Sequence, residues 1–219
     1  MESLTSKTLT RKHRIARDGL DDNLNVRLHR SLSWLRPAES SLDNECWDEA
    51  FIYYWISFNA IYSVEQHDRT VRSEKDIFSD FFVTIRGLDD HQTLYDWIWN
   101  GLTGSIHTLI KNKYVYRPFW DSLNDPEIDW KSQLEESIRQ FSFAFKRQDT
   151  IMILCIIFDR LYVLRNQIIH GNAARNSRRN RAQIRDGAKI MAFLIPVFID
   201  LMIENPDAKW PAPTYPPIT

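Results

Sequence analysis

The sequence contains few of the residues that bend a chain or cross-link it. Only six of the 219 residues are glycine, and only Cys46 and Cys155 are cysteine. No Asn-Gly or Asp-Gly turn separates two alternating, strand-like segments, so the pattern does not predict β-hairpins. The two cysteines form no CxxC pair, which argues against a disulfide framework and against a cysteine-based zinc site.

Long apolar runs and a strong net charge are also missing. The longest apolar runs, 151–158 and 190–199, fall short of the roughly 20 residues that a membrane helix requires. Residues 1–19 lack the apolar core of a secretory signal. The formal net charge is −1 at pH 7, so any nucleic acid must be held by a local basic patch. We therefore expect a soluble, cytoplasmic protein without a membrane partner.

Helical periodicity dominates what is present. Apolar residues recur every three or four positions, as on the buried face of a helix. A first helix is predicted to end before Pro37, and its apolar face carries Leu24, Leu28, Leu32 and Leu35. Residues 151–158 are apolar on every face, so their helix should be central and buried. Further helices are predicted over 45–64, 74–86, 91–111, 130–146, 149–170 and 181–204, the last with a kink at Pro196.

The predicted fold class is all-α, a multi-helix bundle of about seven helices. With 43% hydrophobic residues, a chain of this length can bury one good-sized core. No linker divides it, so we expect a single domain over 1–219. Residues 1–20 are basic and poor in apolar residues, and we expect them to be flexible. Residues 206–219 contain five prolines and are predicted to form an extended tail.

The predicted central helix ends on polar residues that a protein core does not need. Arg165, Asn166 and His170 follow the apolar run. At 100° per residue, Asn166 and His170 share one side of the helix with Asp159 and Tyr162, and we call these four residues the polar seam. Arg165 projects about 140° away from His170, but its long side chain can curl towards the same spot. Because buried polar groups need partners, the seam should face polar groups, water or a ligand.

Two interpretations of these residues remain open. In the first they are ordinary helix-end residues: Asn166 bonds to a neighbouring helix, and His170 precedes Gly171, which caps the helix in a left-handed conformation. In the second they handle a phosphate. Five arginines that follow would contact a nucleic-acid backbone and favour the second interpretation, namely Arg175, Arg178, Arg179, Arg181 and Arg185.

Two segments resemble known proteins. DRLYVLRNQIIHG (159–171) resembles the signature of HEPN domains, all-α proteins whose motif is Arg, a polar residue, three variable residues and His. FIYYWISFNAIY (51–62) is similar to an earlier helix of the Apea-like HEPN branch. The likeness covers about residues 45–65 and 150–204. Asn172 stands where some HEPN toxins carry a Tyr that a partner modifies, so the resemblance does not extend to that branch.

The resemblance implies a metal-independent RNA endonuclease that needs no cofactor and acts as a homodimer with one composite active site. Arg165, Asn166 and His170 would be catalytic. RNA supplies its own nucleophile, the 2′-hydroxyl, so an imidazole that moves its proton and a guanidinium that holds the phosphate are sufficient. The products would be a 2′,3′-cyclic phosphate and a 5′-hydroxyl.

The resemblance also implies a biological setting and leaves one alternative open. A toxin or anti-phage defence role fits this family, with an antitoxin or other regulatory protein as partner. Asp159 and Tyr162 would contact the catalytic residues and hold them in position without touching the substrate. Asn59 would either orient the catalytic residues or form a structural hydrogen bond between helices. The alternative is a non-catalytic, HEPN-like dimeric module that binds RNA or a protein.

Overall fold

The computed structural model describes residues 4–64, 73–101, 103–176 and 181–215. Within these ranges the chain forms α-helices and two short 3-10 helices and has no β-strand, which confirms the all-α class. The described α-helices are α1 (Ser6–Ala16), α2 (Asp22–Asp43), α3 (Trp47–Tyr62), α4 (Glu74–Leu88), α5 (Thr93–Gly101), α6 (Thr103–Lys111), α7 (Arg117–Asp121), α8 (Trp130–Arg147), α9 (Thr150–Ile169) and α10 (Arg181–Glu204).

These ten helices exceed the predicted seven for two reasons. The sequence pattern did not predict the short helices α1 and α7. The predicted helix over 91–111 is described as α5 and α6, which flank residue 102, and that residue lies outside the described part of the chain. No helix within the described ranges is both long and apolar enough to cross a lipid bilayer.

Aromatic side chains from three helices form the centre of the core. Phe58 of α3, Phe82 of α4 and Phe158 of α9 are fully buried. The ring centroids of Phe58 and Phe158 lie 4.5 Å apart, and those of Phe82 and Phe158 lie 4.9 Å apart. Such ring contacts stabilise the core beyond the burial of apolar area. They confirm the prediction of a central, buried α9.

Helix α10 approaches α9 and α3 closely at one glycine. A Cβ atom on Gly187 would lie 3.0 Å from Leu164 Cδ2 and 3.1 Å from Phe51 Cε2. Carbon atoms prefer separations of about 3.5–4.0 Å, so a side chain at this position would have to displace its neighbours. The bounds of α10, Arg181–Glu204, confirm the predicted helix, which continues through Pro196.

The predicted end of the first long helix before Pro37 is wrong. Helix α2 begins after Asp21, whose side chain accepts a hydrogen bond from the Leu24 amide, and it continues through Pro37 to Asp43. Proline removes one backbone hydrogen bond from a helix interior. However, Leu35 and Ala38 on either side of Pro37 are fully buried, and α2 packs along α3. The free energy gained by burying this face of α2 outweighs the cost of a proline inside the helix.

Part of the segment that was expected to be flexible, Ser6–Ala16, is helix α1 and packs against the core. Thr5 caps α1 through a reciprocal pair of bonds with Thr8, and Leu9 is buried. Lys12 pairs with Asp200 and places its Nζ 2.7 Å from Glu204 Oε1, so α1 is held against α10. One of the basic residues that suggested a loose segment, Lys12, thus has its partners at the far end of the chain.

A buried arginine holds the described part of the proline-rich segment. Residues 205–215 contain no helix or strand. Arg27 of α2 is fully buried, and it donates hydrogen bonds to Pro211 O at 2.8 Å and to Ala212 O at 2.9 Å. The same guanidinium donates to Ile61 O at 3.0 Å and to Ser63 O at 2.8 Å. The segment is therefore tied to the end of α3, and residues 216–219 lie outside the described chain.

Candidate functional site

The C-terminal end of α9 presents His170 to solvent. Helix α9 ends at Ile169, and the His170 amide donates to Asn166 O at 3.1 Å. Gly171 has a φ of 70°, the left-handed conformation that glycine adopts at little cost. The amide of Asn172 then donates back to Gln167 O at 2.9 Å. This local geometry confirms the predicted glycine cap, and it leaves the His170 side chain exposed.

Arg165 and Asn166 form a pair one helical turn before His170. Arg165 Nη1 donates to Asn166 Oδ1 at 2.9 Å, and both residues are half-buried. Arg165 Nε is buried and has no hydrogen-bond partner among the residues that the structure describes. An unpaired buried donor costs about 1–3 kcal/mol. Because Nε is buried, a ligand oxygen would have to accept hydrogen bonds from the terminal nitrogens of Arg165.

The surroundings of Arg165 include the ends of α3 and α4. Tyr62 at the end of α3 donates a hydrogen bond to Glu74 at the start of α4. Burial raises the pKa of Tyr62 well above its ordinary value, and the bond to Glu74 acts in the same direction, while the positive charge of Arg165 opposes both. Tyr62 is therefore a neutral donor at neutral pH, and Arg165 lies within electrostatic reach of its hydroxyl.

Among the described residues, no hydrogen bond joins the side chains of Arg165 and His170. The sequence led us to expect that the Arg165 side chain would curl towards His170. Instead its Nη1 is bound to Asn166. Within the described ranges, no hydrogen bond or salt bridge involves the His170 side chain. The chain thus offers an imidazole and a guanidinium that are close in sequence but are not joined by a hydrogen bond.

The other two residues of the polar seam, Asp159 and Tyr162, do not share the surroundings of His170. Asp159 lies 2.7 Å from Lys75 Nζ of α4 and on the wall of a cavity of about 810 Å³ between α4, α8 and α9. Asp159 and His170 are eleven residues apart, or about 16 Å along the helix axis. Tyr162 packs against Trp55 and Phe78, with ring centroids 6.2 Å away in both cases. Asp159 and Tyr162 therefore have their partners on α3 and α4, away from His170.

Asn59 is the third residue that was expected to support the motif. Its Oδ1 atom is buried and has no hydrogen-bond partner in the described part of the chain. The structure thus shows neither of the two expected roles, a bond that orients the motif or a structural bond between helices. Asn59 lies one turn before Tyr62, and its backbone oxygen accepts from the Ser63 amide at 3.1 Å.

The arginines after the motif are largely paired with carboxylates. Arg175 lies 2.5 Å from Glu49 and Arg181 lies 2.5 Å from Asp48, both at the start of α3. Burial favours the neutral form of Glu49, but the bonds from Arg175 outweigh it and lower the pKa of that carboxyl. Arg185 pairs with the adjacent Asp186 at 3.0 Å. The predicted RNA contacts Arg178 and Arg179 lie outside the described residues.

One neighbour of the motif was not predicted from the sequence. Gln167 Nε2 donates to Tyr114 O at 2.6 Å, which joins the last turn of α9 to the segment before α7. The signal was present in KNKYVYRPFW (111–120), where basic and aromatic residues alternate. This pattern is typical of surfaces that bind single-stranded nucleic acid.

Neither a metal-binding cluster nor a known relative identifies the site. Among the described residues, no group of three or more His, Cys, Asp or Glu side chains is placed to hold a metal ion. Comparison of the chain with models of known families, with curated proteins and with solved structures finds no match.

Proposed function

We propose that the chain is a HEPN-type RNA endonuclease that cleaves through the 2′-hydroxyl of its substrate. A single observation carries this proposal. His170 is an exposed imidazole at the end of α9, and Arg165, a half-buried guanidinium, lies five residues before it on the same helix. A base and a phosphate-binding cation in this proximity are the two groups that such a reaction needs.

In the proposed reaction the imidazole of His170 takes the proton from the 2′-hydroxyl. The 2′-oxygen then attacks the adjacent phosphorus, the bond from phosphorus to the 5′-oxygen breaks, and that oxygen is protonated as it leaves. Arg165 binds the non-bridging oxygens and offsets the negative charge that develops on them. Asn166 holds the guanidinium through its 2.9 Å hydrogen bond. The products carry 2′,3′-cyclic phosphate and 5′-hydroxyl ends.

A homodimer would complete the site. In one subunit His170 and Arg165 are not joined, so a second copy that presents its own α9 end could supply the missing half of the phosphate clamp. Ile169, directly before His170, is 50% exposed and offers apolar area for this contact. We extend the proposal to a toxin or anti-phage defence role under the control of a regulatory or antitoxin partner.

A second candidate function is a non-catalytic, HEPN-like dimeric module that binds RNA or a protein. The observation that favours it is the lack of a hydrogen bond between the side chains of His170 and Arg165 within the described chain. Under this alternative the protein binds RNA in a salt-sensitive way but produces no fragments. A gel-shift assay and a cleavage assay on the same sample distinguish the two functions.

The test of the proposal is cleavage of RNA in EDTA by the wild type and by His170→Ala. His91→Ala is the matched control, because His91 is also exposed and follows Arg86 at the spacing at which His170 follows Arg165. Light scattering tests the assembly. A monomer at micromolar concentration would contradict the composite site.

A further inference from the structure

Four aromatic rings near α7 form a surface cluster, which we call the aromatic platform. It consists of Tyr114, Phe119, Trp120 and Trp130. The ring centroid of Phe119 lies 5.5 Å from that of Tyr114, 5.2 Å from that of Trp120 and 5.1 Å from that of Trp130. The four rings therefore form one connected cluster in which neighbouring rings meet edge to face.

A lysine side chain lies against the platform. Lys113 Nζ is 5.1 Å from the ring centroids of Tyr114 and Phe119 and 5.7 Å from that of Trp130. These distances are those of cation–π contacts. No carboxylate in the described ranges forms a salt bridge with Lys113, so its positive charge stays available to a ligand.

Two of the platform's rings are open to solvent. Trp120 is 37% exposed and Tyr114 is 43% exposed, and the adjacent Leu123 is 65% exposed. Tryptophan is highly buried on average in folded proteins, and clustered exposed apolar residues are typical of interaction sites. The Trp120 indole is also fixed in place, since its Nε1 donates to Tyr114 O at 2.9 Å. A rigid, exposed ring loses little conformational entropy when it binds a ligand.

One carbonyl oxygen joins the platform to the candidate site. Tyr114 O accepts both the bond from Trp120 Nε1 and the 2.6 Å bond from Gln167 Nε2 of α9. Gln167 precedes His170 by three residues, which is about 4.5 Å along the helix axis. The platform is thus attached to the same helical turn that presents the imidazole.

We propose that the aromatic platform stacks an unpaired base of single-stranded RNA beside the end of α9. Every base has a flat π face, so it can lie on a fixed indole or phenol ring. The ammonium of Lys113 would meet the phosphate of the same strand. Two acidic residues nearby are engaged locally: Asp121 pairs with Arg117 at 2.7 Å, and Asp129 caps α8. This inference rests on the proposed function only in placing the stacked base beside a cleavage site. RNA binding by the platform does not depend on cleavage.

The experiment measures the affinity for a short, fluorescein-labelled, single-stranded RNA by fluorescence anisotropy. All proteins carry His170→Ala so that the RNA stays intact. Trp120→Leu, which keeps apolar volume but removes the flat ring, should weaken binding roughly 5- to 150-fold. Trp120→Phe should restore most of the affinity. Because stacking is not electrostatic, the ratio between the variants should be similar at low and high salt.

Trp34→Leu provides the matched control. Trp34 lies on α2 and is 38% exposed, against 37% for Trp120, and its removal should leave the affinity unchanged. If Trp120→Leu does not fold, as judged by circular dichroism and thermal melting, Tyr114→Leu carries the same expectation. Equal affinities for the platform and control variants overturn the proposal, and so does RNA binding too weak to detect in every protein.

Cleavage by the chain with His170 intact is scored separately. If binding depends on Trp120 but no cleavage occurs, the proposed nuclease activity is refuted and the proposed base stacking is supported. If cleavage occurs but binding does not depend on Trp120 or Tyr114, the base stacking is refuted and the nuclease activity is supported. Equal affinity for single-stranded and double-stranded RNA would also contradict stacking of an unpaired base, since a duplex keeps its bases inside.

Discussion

Arg181 Nη1 lies 2.5 Å from Asp48 Oδ2 and joins the start of α10 to the start of α3. Asp48 is buried and also accepts a hydrogen bond from the Asn176 amide at 3.2 Å. Asn176 Oδ1 in turn accepts from Arg181 Nη2 at 2.9 Å. An arginine that the sequence assigned to RNA binding therefore holds the chain that follows the candidate site.

The first prediction concerns this contact. Arg181→Ala leaves a buried carboxylate without its cation, and we expect it to lower the free energy of unfolding by about 1–3 kcal/mol. Arg185→Ala is the control, because Arg185 is exposed and pairs only with its neighbour Asp186, and it should change the stability by less than about 0.5 kcal/mol. Urea unfolding measures both. Equal effects would show that the pair with Asp48 contributes little.

The second prediction compares two helical glycines. Gly187→Ala places a methyl group 3.0 Å from Leu164 Cδ2, and we expect it to destabilise the fold by about 1–3 kcal/mol through overpacking. A Cβ on Gly87 of α4 meets no atom within 4 Å. Gly87→Ala should therefore stabilise the protein by up to about 1 kcal/mol, the difference in helix propensity. Thermal melting should move in opposite directions for the two variants, and a shared direction would contradict the close approach of α10.

The third prediction concerns the buried arginine of α2. Arg27→Ala leaves at least four carbonyl oxygens without their donor, including Pro211 O and Ser63 O. We expect a loss of about 3 kcal/mol or more and faster proteolysis within 205–215. Arg27→Lys should rescue only part of the loss, since an ammonium lacks the planar fork that reaches several acceptors. Full rescue by lysine would argue that charge alone matters.

The fourth prediction is a dependence on pH. His13 is buried, with Nε2 3.1 Å from Asn25 Oδ1. Burial lowers the pKa of His13 below its ordinary 6.5, and the nearby charges of His29 and Arg17 act in the same direction, while the bond to Asn25 opposes them. The unfolded chain therefore binds this proton more tightly than the folded one. The contribution to stability is complete above about pH 6.5 and is lost as the pH falls through the folded pKa.

His13→Gln tests this dependence. Between pH 7.5 and pH 5 the variant should lose less stability than the wild type, as measured by urea midpoints at each pH. His91→Gln, at an exposed histidine, should follow the wild-type profile. A profile for His13→Gln that is parallel to the wild type would show that His13 does not titrate differently in the two states.

Local signals in the sequence predicted much of the helical framework. The bounds of α9 and α10 follow from long apolar runs, and the left-handed φ of 70° at Gly171 follows from a glycine just past the helix end. Contacts between residues far apart in the sequence could not be predicted from such local signals. Lys12 meets Glu204 across 192 positions, and no local pattern reveals that a basic segment has such a partner.

In the candidate site, too, the features set by local helix geometry were predicted and those set by helix packing were not. The chain alone placed Asn166 and His170 at the end of α9, because their positions depend only on helical geometry. It could not reveal that Asp159 would pair with Lys75 of α4, or that Arg175 would pair with Glu49 of α3. Those pairs depend on how the helices pack, and the paired Arg175 side chain still remains 69% exposed.

The central claim is that His170 and Arg165 cleave RNA. The most direct measurement incubates the purified protein with total RNA in EDTA and identifies the ends of the fragments. We predict 2′,3′-cyclic phosphate and 5′-hydroxyl ends, with the rate reduced at least about 100-fold by His170→Ala or by Arg165→Ala, less by Asn166→Ala, and not at all by His91→Ala. Equal cleavage by wild type and His170→Ala at matched purity, or no fragments from the folded wild type, would contradict the account.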